Sequence, residues 1–400
     1  MRPPHCTLRA AAVTPWLVSL LTDHLALPDF RASVPGRLLA RLLLLASALG
    51  RSLSGLCGKL HKAPAAETVR TALRVALPAA LEELRQRLTA GLHALVPATL
   101  RRRKVALAAD LHLRPFYGDR ATPGLYKGKR QAGTKRFYAY ATLAGLDRGL
   151  RFTVGLVPVG NGQPLTAVLQ ALLDQARAAG VGPRYLLLDR GFYAAQVIRW
   201  LQQARLAFAM PLIRRGKPAG SRQPATGTQR FFSAACRPGW YRYGWVARPR
   251  QADPQTGKPR KGPALAVTVS VCVARSPSGK PWAFAASALG WPPRLLVRRY
   301  RQRFGIETSY RQLGQCLAQT TSKERRVRLL LVGVALMLRN AWAWLHWEVL
   351  AQRAGTRRRL RSPLLTLDDL KWWLVTVLGR ALQLILEIET GQTVPQELRA

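Results

Sequence analysis

The sequence predicts an α/β fold, a mixed sheet with helices on its faces, interrupted by a β-rich insertion and flanked by helical N-terminal and C-terminal regions. Three observations lead there. Residues 17–100 carry leucine and alanine at three- and four-residue steps. From Lys104 the period changes, and the chain reads βββαβαβ up to residue 213. Residues 214–228, rich in Gly, Pro, Arg and Lys, then lead into a second β-like stretch before helical spacing resumes at Leu295. A hairpin meander followed by alternating helices and strands implies a mixed sheet.

Residues 1–100 are expected to form a helical region punctuated by Pro28, Pro35, Pro64, Pro78 and Pro97. Arg37, Arg41, Arg51, Lys59, Lys62, Arg70 and Arg74 give it a basic surface, and the break between Gly50 and Gly55 suits a helix-turn-helix that binds DNA. Residues 101–213 form the first part of the core, with strands at 105–110, 136–146 and 151–159, a helix at 165–179, a strand at 185–189, a helix at 194–204 and a strand at 206–213. Residues 214–291 form the insertion, with strands at 231–235, 239–247, 265–274 and 282–287. Residues 292–350 hold helices at 295–316 and about 324–350 and the end of the core. Residues 351–400 form a C-terminal helical region.

Lysine and arginine total 63 against 19 Asp plus Glu, a formal charge of +44 spread along the whole chain. A polyanion is the expected partner, held through counterion release and so weakened by salt. A phosphate-binding GxxxxGK loop, a GxGxxG after a strand and an HExxH motif are missing from the sequence, which leaves ATP and nicotinamide chemistry unsupported. The cysteines Cys6, Cys57, Cys236, Cys272 and Cys316 show no CxxC pair or zinc-ligand spacing, and fit a reducing cytoplasm. The apolar stretches at 38–49 and 329–338 are shorter than the roughly 20 residues a spanning helix needs, and are read as buried helices.

In so basic a chain the placement of acids carries information. Asp110 closes the apolar run 105–110 and Asp189 closes 185–189, positions at which an uncompensated buried charge costs several kcal/mol, about 2–7 for a neutral polar group and more for a charge. Tyr300, Arg303 and Glu307 are spaced by three and four, which puts a ring, a guanidinium and a carboxylate on one helix face. By itself the Arg303 and Glu307 spacing also fits an intrahelical ion pair. Together the three acids suggest metal-dependent chemistry on nucleic acid.

Asp110 in Asp-Leu-His-Leu-Arg-Pro-Phe-Tyr-Gly, Asp189 in Asp-Arg-Gly-Phe, and Tyr300-(2)-Arg303-(3)-Glu307 resemble the DDE transposases of bacterial and archaeal insertion sequences. The insertion-sequence-four-like group, marked by Tyr-(2)-Arg-(3)-Glu-(6)-Lys, resembles it most, over about residues 104–345. The resemblance implies a ribonuclease-H-like core with its insertion between the second Asp and the Glu. It further implies that Asp110, Asp189 and Glu307 hold two divalent ions, Mg²⁺ or Mn²⁺, and that Tyr300 and Arg303 contact DNA. Where the family has its lysine this chain has Gly314, with Arg311 nearby as a candidate substitute. Lys127, Lys129 and Arg130 follow the first Asp as candidate phosphate contacts, and Trp245, Trp282 and Trp291 are candidates either to stack on an unpaired base or to pack in the core.

The expected function is a DDE transposase of the prokaryotic cytoplasm and nucleoid, working as a homodimer on double-stranded DNA. It would bind terminal inverted repeats, cleave there and transfer the strands to target DNA. The alternatives are a ribonuclease-H-like nuclease without strand transfer and an inactive, transposase-derived DNA-binding protein.

Overall fold

The structure is a computed structural model. It describes residues 7–119, 121–147, 150–220, 223–248, 250–252, 259–276, 278–354, 357–359 and 364–386, with the side chains of 250–252, 259–260, 304–312, 352–354 and 357–359 outside the description. The chain divides into two compact units. One comprises Met1–Gly91, Leu313–Trp342 and Ser362–Ala400, the other Leu92–Gln312 and Ala343–Arg361.

The first unit is helical. It opens with α1 (Ala10–Leu25), α2 (Gly36–Leu49), α3 (Leu53–Cys57), α4 (Ala66–Ala76) and α5 (Leu81–Ala94). Leucines and alanines bury nearly the whole circumference of α2 from Leu39 to Ala48, so this is the central helix of its unit and not a solvent-facing reader of DNA. The expected break is present. Gly50 ends α2 in the left-handed conformation at φ 62°, where only glycine is unstrained, and the Ser52 hydroxyl caps α3 through the Gly55 amide at 3.1 Å. Yet α3 has five residues, which is too short for a recognition helix. The seven basic side chains singled out above are all exposed.

The second unit is built on a nine-stranded sheet. Its elements are β1 (Arg103–Pro115), β2 (Tyr126–Gln131), β3 (Thr134–Asp147), β4 (Leu150–Val159), α6 (Leu165–Ala178), β5 (Val181–Leu188), α7 (Ala195–Gln203), β6 (Phe208–Pro211), β7 (Gly239–Ala247), the small separate hairpin β8 (Arg250–Ala252) and β9 (Pro259–Lys261), β10 (Leu265–Arg275), β11 (Pro281–Ser287) and α8 (Pro293–Gln315). The sheet order is β2-β3-β1-β5-β6-β11-β10-β7, with β4 pairing the rest of β3. β1 runs parallel to β5 and antiparallel to β3, and β5 runs parallel to β6. The central strands are buried on both faces, as a sheet covered on both sides requires.

The insertion is hydrogen-bonded to the core. β11 pairs β6 antiparallel from Phe284 opposite Pro211 to Ser287 opposite Phe208, so β11, β10 and β7 extend the same sheet. Residues 231–235, expected as a strand, are replaced by a 3-10 turn over Gly227–Phe232. The Thr228 hydroxyl donates to the Ile213 carbonyl at 2.6 Å and accepts from the Arg215 amide at 2.7 Å, closing the basic loop locally and leaving no free ladder edge there. Glycine also permits close packing on the sheet. A Cβ on Gly155 of β4 would meet Leu172 of α6 at 3.0 Å, so its absence lets the helix sit close to the sheet.

Two further helices belong mainly to the first unit, α9 (Arg325–Trp344) and α10 (Leu367–Ala381). Residues 325–349 are helical, as expected for about 324–350, and are long and apolar enough to cross a bilayer on length and composition, but an 18-residue window within them is 89% buried inside the protein. α10 starts on a capping box, in which the Asp369 amide donates to the Thr366 hydroxyl and the Thr366 amide donates to the Asp369 carboxylate.

Candidate active site

Register brings the first two acids together. Ala109 of β1 pairs with Leu188 of β5 in a parallel ladder, so the next residues, Asp110 and Asp189, occupy matching positions on neighbouring strands. Strands in a sheet lie about 4.8 Å apart, and matched positions on parallel strands project to the same face. Asp110 is still within β1, opposite Thr142 of β3, and is 8% exposed. Its Oδ1 accepts the Leu111 amide at 2.8 Å. Asp189 ends its strand and caps the 3-10 turn Arg190–Phe192 through the Gly191 amide.

The face beneath them is made of small residues. Ala106 and Ala108 of β1, with Tyr185 and Leu187 of β5 and Phe284 of β11, form one buried cluster that takes Leu296 and Tyr300 of α8. Alanine at two alternate positions on β1 leaves room for a helix carrying an aromatic side chain. Tyr300 fills it. The residue is 1% exposed, its ring lies 4.8 Å from that of Phe284, and its hydroxyl donates to the Leu188 carbonyl at 2.9 Å. Burial pushes the phenol well above its usual range, so it stays protonated and keeps donating. α8 is thereby pinned at the end of β5, one residue from Asp189.

One turn later Arg303 enters the carboxylate pair. Its Nη2 lies 2.8 Å from Asp189 Oδ1 and 3.6 Å from Asp110 Oδ1, and the residue is 3% exposed. The two acids thus share one buried cation, whose carbon centre sits 5.7 Å from the Tyr300 ring centroid. Sequence spacing alone pairs Arg303 with Glu307. The structure gives it partners on two strands of the sheet.

Several expectations need restating against this geometry. Tyr300 and Arg303, given DNA contacts by resemblance, are held inside the protein by these bonds. Glu307 and Arg311 lie on the path of α8, but their side chains are outside the described residues. Among the described residues no three His, Cys, Asp or Glu side chains group as a metal site. Lys127, Lys129 and Arg130 sit on β2, an edge strand rather than a loop, and are exposed. Lysine on an edge also discourages edge-to-edge association. Trp245 is stacked between Tyr193 and Tyr243, Trp291 meets Tyr185 edge-on, and Trp282 meets Phe284 edge-on, so each packs against the protein's own rings. His112, two residues past Asp110, is pushed down to about 4 by burial and by Arg114, and is neutral at pH 7.

Sequence reasoning missed a basic-aromatic strip in the insertion. The Arg230 guanidinium lies over Phe231 and Tyr243, and Arg215 lies over Tyr193. Tyr241, Tyr243 and Trp245 alternate along β7 and so share one face. That period-two aromatic pattern was the available signal.

The comparisons agree with this architecture. A solved piggyBac transposase, determined by cryo-EM in a synaptic complex with hairpin DNA, matches with a TM-score of 0.51 and 12% identity, covering 98% of this chain and 88% of that one. At that identity the likeness is one of fold, a ribonuclease-H-like mixed α/β core with flanking helices. No curated protein matches the chain by sequence. The family model for the transposase DDE domain matches residues 103–340, more than half of the 400, the same span that carries Asp110, Asp189 and the α8 motif, and the chain therefore belongs to the DDE transposase family.

Proposed function

We propose that the chain is a transposase that binds the terminal inverted repeats of its element, cleaves the DNA there and transfers the freed 3′ ends to target DNA. Asp110, Asp189 and Glu307 are its catalytic carboxylates. The observation that carries this reading is the pair of aspartates in matched positions on β1 and β5, gathered around one buried cation. The Tyr300-(2)-Arg303-(3)-Glu307 spacing favours the insertion-sequence-four-like group.

The donor set fits a divalent metal. Carboxylate oxygens are hard ligands suited to Mg²⁺ or Mn²⁺, and the Arg303 guanidinium already stands where positive charge is required. When bound by Asp110, Asp189 and Glu307, two such ions would supply activation of the attacking hydroxyl and stabilisation of the leaving oxygen. The chain's own residues do the rest. The Leu111 and Gly191 amides orient the two carboxylates, Tyr300 fixes the helix that carries the third, and Arg303 keeps like charges from repelling before substrate arrives. The exposed cations Lys127, Lys129 and Arg130 are placed to position the DNA backbone, and a homodimer would hold the two element ends.

The test is incubation of the full chain with DNA carrying the sequences that flank its own gene, in Mg²⁺, with Asp110→Asn, Asp189→Asn and Glu307→Gln alongside. Joined products lost in all three variants support the reading. Nicking without joining points to a nuclease, and binding without cleavage points to an inactive DNA-binding descendant.

A further inference from the structure

At the far end of β1 from Asp110 the sheet opens into a cavity of about 230 Å³. Its nearest strand residue, Ala106, is four positions from Asp110, about 13 Å along the strand, so the cavity is separate from the carboxylate pair. Of its twelve lining residues five are cationic, namely Arg103, Lys104, Arg151, Arg184 and Arg299, and one, Asp147, is acidic. Five in twelve is well above the 63 in 400 of the whole chain. The enrichment is therefore not simply inherited from a basic composition.

We propose that this cavity is a binding site for a phosphate-bearing anion. Five elements converge on it, the start of β1, the hairpin ends of β3 and β4, the middle of β5, and α8. Asp147 is occupied by Arg103 at 3.3 Å, so the formal charge of the lining is +4 from five cations less one acid. Cations crowded in a partly desolvated space repel one another unless an anion joins them. The desolvation is visible at Arg151, which is held by the Gln302 carbonyl at 3.1 Å and whose guanidinium is pushed down to about 10 by burial. Tyr185, near Arg299 and Arg184, adds a polar group to the same wall.

Size narrows the ligand. Sites for whole cofactors run to roughly 300–1,000 Å³, so this cavity suits a single phosphate group or a pyrophosphate-sized anion. That group could be a free anion or one phosphate of a DNA backbone. In either case Arg299 and Gln302 flank Tyr300 on α8, so the occupant is held by the helix that also positions Arg303.

The experiment is calorimetric titration of the full chain with sodium pyrophosphate, in EDTA at constant ionic strength. Arg184→Gln/Arg299→Gln and Lys104→Gln are compared with Arg199→Gln, an exposed change on α7 away from the cavity. One saturable site per chain is expected, weakened at least tenfold in the double variant, weakened less in K104Q, and unchanged in R199Q. Equal melting temperatures without ligand establish that the variants are folded, and K104Q alone carries the comparison if the double variant is not. Absence of saturation, or equal affinity in cavity and control variants, overturns the proposal. A duplex-competition arm assigns the source. If pyrophosphate displaces DNA and the double variant lowers the salt slope by about one, the ligand is a backbone phosphate. If duplex binding is unaffected while pyrophosphate still saturates, it is a free anion.

Discussion

Replacing Arg303 by glutamine should destabilise the catalytic core in the absence of metal and make it unusually responsive to Mg²⁺. The guanidinium lies 2.8 Å from one carboxylate and 3.6 Å from the other. At an effective dielectric of about 20 the gross attraction is on the order of 10 kcal/mol, most of it offset by the cost of burying the charge. Removing one partner from a buried ionic cluster costs about 3–5 kcal/mol. Here the Asp189 side chain is 37% exposed, so water screens part of the loss and about 2–4 kcal/mol is expected. The remaining two carboxylates then repel, and a divalent cation relieves in the variant what arginine relieves in the parent. The assay is urea denaturation with EDTA and with Mg²⁺, read by hydrogen exchange at the Leu111 and Gly191 amides that the two carboxylates accept. R303Q should exchange faster than the parent in EDTA and gain more protection from Mg²⁺. Equal exchange in EDTA together with an equal Mg²⁺ response would refute the role assigned to Arg303.

Other perturbations have separable signatures. Gly314→Lys introduces the lysine that the insertion-sequence-four-like resemblance implies, at an exposed helical position where a Cβ meets nothing within 4 Å; it should stabilise by up to about 1 kcal/mol through helix propensity and steepen the salt dependence of duplex binding, measured by anisotropy. Gly36→Ala would place a Cβ 2.1 Å from the Leu27 carbonyl oxygen, and should lower stability by about 1–3 kcal/mol or more by overpacking, read from the thermal midpoint. Tyr300→Phe removes one buried bond to the Leu188 carbonyl and should cost about 1–3 kcal/mol, with strand cleavage reduced and DNA affinity unchanged. Burial pushes the Cys272 and Cys316 thiols up to about 12, so at pH 8 they stay protonated; alkylation followed by peptide mapping should label Cys236 in the native protein and those two only after unfolding.

The strand and helix order of the core was legible because its segments keep a clean period and because acids end the two runs that pair in parallel. What Arg303 faces was not legible. A three- and four-residue spacing tells which side chains share a helix face and is silent on what that face meets, and the nearer reading, an intrahelical pair with Glu307, is a local one. β2 escaped because Lys-Gly-Lys-Arg carries no apolar alternation and is a strand only through its pairing with β3. Residues 231–235 misled in the opposite sense, since two adjacent phenylalanines suit a strand while the Thr228 hydroxyl closes a turn. The helical stretch at about 324–350 was legible straight across Arg339, which is buried with Asn340 within α9.

Charge placement links the fold to the chemistry. A chain at +44 attracts DNA over its whole surface, and a carboxylate cluster exposed on that surface would push back against the phosphate that must react. With Arg303 between them, Asp110 and Asp189 present a net formal charge of −1, from two acids less one cation, instead of −2. On the proposed function, the site would then be held folded before metal and DNA arrive, at a lower electrostatic cost than three bare carboxylates would carry. The metal-free state then has a definite structure. If divalent cations fill the site as proposed, Arg303 would have to shift, because one small volume cannot hold the guanidinium and the ions together. Arginine's fork is suited to phosphate as well as carboxylate, so a displaced Arg303 would be released beside the scissile strand. In that case the DNA contact suggested by the family resemblance and the buried ion pair seen here are two states of one side chain, and distance measurements from a spin label on α8 with and without Mn²⁺ and DNA should resolve both.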